Sequence, residues 1–147
     1  MRFTFLLLII AVALMVACES DQHRLQGTDI PRVPETTVES NTLELHGRRA
    51  ISGTVRFVGP IYDALERVRW TARGFDLDGW KEVSLTGTPA EANALFVSEW
   101  HEPGTERVAK LHIVASHVRG QAILTIEVKP APEDDKKDGS DAKDSAG

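Results

Sequence analysis

Apolar and polar residues trade places one for one along most of the chain between Thr42 and Lys129. Ile51, Gly53, Val55 and Phe57 alternate with Ser52, Thr54 and Arg56, and Val68, Trp70 and Ala72 alternate with Arg67, Arg69, Thr71 and Arg73. Successive side chains of a strand point to opposite faces, so a period of two describes half-buried strands with arginines on the wet side. Further runs at Thr42–His46, Trp80–Thr86, Ala94–Trp100, Val108–Ala115 and Gln121–Lys129 are separated by turn chemistry such as Gly59-Pro60, Asp78-Gly79 and Pro103-Gly104. About seven short strands at this spacing predict an all-β, antiparallel sandwich or barrel, with Trp70 inside and Arg69 outside. Only Tyr62–Arg67 and Pro89–Ala94, the latter after a Thr88 cap, read as helical, each for a turn or two.

The alternating block defines the domain as residues 42–130. It holds every Trp and the only Tyr, and between 42 and 129 its 11 acids balance 11 bases. Nearly ninety residues bury a single modest core. Upstream, residues 18–41 are polar, carry Pro31 and Pro34, and show no sustained period through Leu25, Ile30, Val33 and Val38; they read as a flexible spacer. Residues 131–147 contain no Val, Ile, Leu or aromatic side chain, and six acids against three bases leave −3. Such a tail cannot offset its ordering entropy and is expected to be disordered. Over all 147 residues, 17 Lys and Arg against 22 Asp and Glu leave −5. That balance does not suit a nucleic-acid binder, because neutralising phosphates needs a basic surface.

The N-terminus is an address. Arg2 precedes an apolar run from Phe3 to Val16 broken only by Thr4, and Ala17-Cys18 follows before the polar Glu19-Ser20-Asp21. The run is shorter than the ~20 apolar residues a membrane-spanning helix needs. A cut after Ala17 puts Met15 at −3 and a cut after Cys18 puts a cysteine at −1, so ordinary cleavage at small residues is poorly served. Met15-Val16-Ala17-Cys18 resembles the lipobox of bacterial lipoproteins, with Met15 where Leu is usual. The resemblance implies a signal peptide over 1–17, cleavage before Cys18, a diacylglyceryl thioether on Cys18 and an acyl chain such as palmitate on its new amine. The expected location is the cell envelope, extracytoplasmic and held to a membrane by lipid. Cys18 is the only cysteine, which excludes an internal disulfide and a Cys-cluster zinc site.

The runs Ala109–Ser116 and Gln121–Lys129, joined through His117-Val118-Arg119-Gly120, resemble the closing hairpin of bacterial immunoglobulin-like domains of the PKD and cadherin-like kind. Arg69-Trp70-Thr71-Ala72 resembles their core-tryptophan strand. The likeness implies an immunoglobulin-like sandwich used for contact. The inter-sheet cysteine pair and the Tyr before the penultimate strand are missing here.

Chemistry is sparse. Asp76-Leu77-Asp78-Gly79 has the look of a calcium loop, but an EF-hand register puts Gly74 and Leu85 where carboxylates are needed. His46, His101, His112 and His117 do not share a metal-ligand spacing. Glu99, His101, Glu102 and Glu106 offer a general base without a nucleophile in recognisable context. No metal or cofactor is expected. The candidate ligand contacts are Arg67, Arg69 and Arg73 on one strand face, and Trp80 and Trp100 as stacking platforms. The expectation is a lipid-tethered, non-catalytic binding or structural module with an envelope protein or glycan as partner. The alternative is a small envelope enzyme or a metal or carbohydrate receptor using the Glu99–Glu106 loop with Asp76 and Asp78.

Overall fold

The computed structural model describes residues 22–100 and 102–130; residues 1–21, Cys18 among them, His101 and the tail 131–147 lie outside the described residues. The elements run β1 (Thr37–Asn41), β2 (Glu44–His46), β3 (Arg49–Ile61), α1 (Ala64–Leu77), β4 (Lys81–Gly87), β5 (Glu91–Glu99), β6 (Thr105–Val114) and β7 (Ser116–Pro130). The mostly antiparallel, seven-strand architecture expected from the alternation is present. All seven strands belong to one sheet in the order β1-β3-β7-β6-β5-β4, with β2 following β1 along the same partner, β3. The antiparallel partnership of the last two runs also holds, from Thr105↔Pro130 to Val114↔Gln121.

Alternation decides which side of this sheet is dry. Val55 and Phe57 of β3, Leu124 and Ile126 of β7 and Leu111 and Ile113 of β6 are all 2% exposed or less. The layer opposite them, which a sandwich supplies with a second sheet, is made by α1 and the chain before β1. Phe75 of α1 stacks on Phe96 of β5 with centroids 4.2 Å apart and meets Trp80 edge-on at 5.5 Å. Burying one such ring contributes about 1.5–3 kcal/mol, before the pair geometry adds its own fraction.

Residues 64–77 correct the expected Arg67–Arg73 strand and place Trp70 outside, 52% exposed. Ala64, Val68, Thr71 and Phe75 repeat at helical spacing and form the buried stripe. Asp63 caps the start, its carboxylate accepting from the Glu66 backbone N–H at 2.9 Å. Seven residues of alternation cannot outweigh fourteen with a cap and a continuous stripe. The Asp78-Gly79 turn closes the helix rather than joining strands: the Gly79 and Trp80 N–H groups donate to Asp76 and Phe75, with Gly79 at φ +81°. Pro89–Ala94 is not helical. Thr88 accepts from the Ala90 and Glu91 N–H groups, but it does so in the β4–β5 hairpin.

Residues 22–36, expected as spacer, pack onto the domain. Leu25, Ile30 and Val33 are 6%, 0% and 1% exposed and belong to the core. Arg24 bridges to Pro31, Leu25 N–H donates to Ile30 and Arg32 N–H to His23, so the segment folds back on itself. Pro31 then seats on Gly74 of α1, where an added Cβ would lie 2.6 Å from the Pro31 Cβ. Three apolar residues without period are enough to join the segment to the core when all three are buried in it.

Both exposed edges are irregular. β1 carries a bulge at Glu39 and β4 one at Val83, each between two paired positions. Bulges of this kind discourage edge-to-edge pairing with another chain.

Candidate functional site

At one end of the sheet, the segment after Gln22, the β2–β3 turn, the end of α1 and the β5–β6 hairpin surround an open cleft of about 980 Å³. Arg24, Arg48, Arg49, Lys81 and Arg107 face Asp29, Asp78, Glu99 and Glu106 across it, with Trp100 in the wall. The hairpin supplies its acids in register, Glu99 opposite Glu106.

Arg107 organises the cleft from beneath. Its side chain is 2% exposed, and Nη1 lies 2.7 Å from Asp29 Oδ2 and donates to the Ala50 carbonyl at 3.1 Å, while Nη2 donates to Ser98 Oγ. The guanidinium stacks 4.3 Å from the Trp80 centroid, with Trp100 at 5.7 Å. Arg107 Nε and Trp80 Nε1 are buried without a hydrogen-bond partner among the described residues. Leaving such groups unpaired costs about 1–3 kcal/mol each, which the ring-to-cation attraction of about 2 kcal/mol in a desolvated setting partly offsets.

Asp29 does triple duty, since its other oxygen accepts from the Ala50 N–H and its own N–H donates to the Arg48 carbonyl. Nearer the rim, Arg24 meets Asp78 through both carboxylate oxygens, at 3.0 and 2.5 Å. Burial pushes the Asp78 carboxyl above its usual range, and the Arg24 charge opposes but does not cancel that.

The sequence candidates are redistributed. Trp80 and Trp100, read as platforms, converge on Arg107; Trp80 is 2% exposed and belongs to the core, while Trp100 lines the cleft and meets His46 edge-on at 5.7 Å. Arg67, Arg69 and Arg73 do not form a strand face, because all three are on α1. Arg67 is buried and holds the Pro34 carbonyl and Glu35, 2.7 Å away, whereas Arg73 lies over the exposed Trp70 at 4.4 Å. Arg69 and Arg73 flank a shallow groove with Asp76, which parts company with Asp78.

His112 sits on the other face of the sheet beside Asn93 and Glu91, and His117 lies against Tyr62. No group of three His, Cys, Asp or Glu placed to hold a metal occurs among the described residues. No helix among them is long and apolar enough to cross a membrane. Sequence reasoning missed Asp29 and Arg107 altogether; an arginine at an inward position of the Arg107-Val108-Ala109 run was the available signal. No family model, curated protein or solved structure matches this chain.

Proposed function

We propose that this chain is a lipid-anchored, non-catalytic binding or structural module of the bacterial cell envelope, held extracytoplasmically through Cys18. The anchor rests on the lipobox resemblance of Met15-Val16-Ala17-Cys18. The observation that carries the non-catalytic part is the mutual engagement of the cleft's charges: Arg24 is tied to Asp78 and Arg107 to Asp29. A general acid or base needs a titrating group aimed at a reacting atom, whereas these pairs hold chain segments together. The wall of Trp100, Glu99 and Glu106 favours a receptor as the second reading, with a glycan or peptide stacking on the indole.

Mass spectrometry of the membrane fraction tests the anchor. A mature chain beginning at lipid-modified Cys18 is the expected result; an intact Met1 or an unmodified Cys18 overturns it. Glycan and peptide arrays probed with wild type and Trp100→Ala separate the two readings. Binding lost in the variant selects a receptor built on Trp100 over a purely structural module.

A further inference from the structure

Three residues separate Cys18 from Gln22, the first described residue. Four Cα steps of ~3.3–3.6 Å reach at most about 14 Å. From Gln22 onward the chain is pinned, by Arg24 to Asp78, by Asp29 to Arg107 and by Leu25 and Ile30 in the core. A hundred-residue domain has a radius of gyration of about 13 Å, so its far side lies beyond the reach of so short a connection. The cleft does not, because Arg24, two residues from Gln22, forms part of its wall.

We infer that the cleft end of the domain is seated against the headgroup layer of the membrane that carries the Cys18 lipid, with its cations toward anionic headgroups. This rests on the anchored reading and adds an orientation to it. Arg24, Arg48, Arg49 and Lys81 line the cleft on its open side. With Arg107 and Asp29 included, five cations line the cleft against four carboxylates, a balance of +1 in a chain that is −5 overall. Anionic lipid attracts such a cluster over about a Debye length. Trp100 in the wall and Leu77, 80% exposed next to Asp78, are the residue types that settle at a membrane interface.

The test uses the full, lipidated chain in vesicles of phosphatidylethanolamine and phosphatidylglycerol doped with a headgroup spin label. A Trp70→Phe background removes the exposed indole of α1. The expected result is strong quenching that Trp100→Phe largely abolishes. Inserting a Gly-Ser linker of about twenty residues, with a root-mean-square span of ~25 Å, between Asp21 and Gln22 should relieve the quenching without touching the fold. Lys81→Glu should weaken it, since each basic residue near the surface changes binding by about fivefold.

Lipid on Cys18 with no quenching, or with quenching the linker leaves unchanged, overturns the orientation and spares the anchor. Absence of lipid on Cys18 overturns both. Pro130 pairs with Thr105 at the cleft rim, so the acidic tail is the rival occupant. Quenching that emerges only when residues 131–147 are deleted assigns the cleft to the tail and overturns the inference.

Discussion

Two arginines stack on tryptophans at almost the same distance, Arg107 over Trp80 at 4.3 Å and Arg73 over Trp70 at 4.4 Å. Their surroundings differ completely. Arg107 and Trp80 are each 2% exposed, whereas Trp70 is 52% exposed on the outer side of α1. Water screens the second pair to about 0.5–1 kcal/mol, while the first gains more from the ring and depends on Asp29 to neutralise a charge that water no longer reaches. A contact distance therefore says little about energy until burial is known.

The largest effect should come from breaking the buried side. Asp29→Ala leaves Arg107 uncompensated and should cost about 3–5 kcal/mol in urea denaturation. The Asp29→Leu, Arg107→Leu double variant should be less destabilised than Asp29→Ala; equal losses would mean that packing, not charge, holds that end. Gly74→Ala comes next. A helix normally gains about 1 kcal/mol from that change, but here the methyl meets Pro31 at 2.6 Å, and overpacking of this kind costs about 1–3 kcal/mol. A stabilised variant would show that residues 22–36 yield without loss. Trp70→Ala should then cost no more than about 1 kcal/mol, as the exposed member of the comparison; a core-sized loss would erase the contrast.

The smallest effects extend the contrast to carboxylates. Asp78, with a side chain 8% exposed beside Arg24, has its pKa raised by burial, so its favourable contribution is complete below the ordinary 3.8 and declines as pH rises through the raised folded value. Glu127, 45% exposed beside Lys110 at 2.9 Å, is lowered by that hydrogen bond and charge; its contribution is present above 4.5 and is lost as pH falls through the depressed value. Thermal melts across acid pH should show Asp78→Asn gaining on wild type as pH rises and Glu127→Gln gaining as it falls. The same sign for both would contradict the assignment.

What could be read in advance follows from how many residues share a signal. The sheet was legible because the runs Ile51–Phe57, Ala94–Trp100, Val108–Ala115 and Gln121–Lys129, set apart by turn chemistry, fall on β3, β5, β6 and β7. Within Arg67–Arg73 the same alternation as in Ile51–Phe57 misled, since the longer stripe from Ala64 to Phe75 and the Asp63 cap outweigh it. Residues 22–36 were illegible for a different reason: Leu25, Ile30 and Val33 are buried in a core built from distant parts of the chain, so their burial is a property of the assembled fold. The cleft mixes both cases. Trp80 and Trp100 stood out by size, but Asp29 acquires meaning only once β6 brings Arg107 to it from far along the chain.

The double fixing of the first described residues also has a mechanical side. Tension entering at Gln22 meets the Arg24–Asp78 pair first, then the buried Ile30 and the Asp29–Arg107 pair, before it can reach β1. Because Asp29 hands that force to β6, a strand in the interior of the sheet, a pull from the N-terminal side is spread across neighbouring ladders instead of peeling the edge strand away one hydrogen bond at a time.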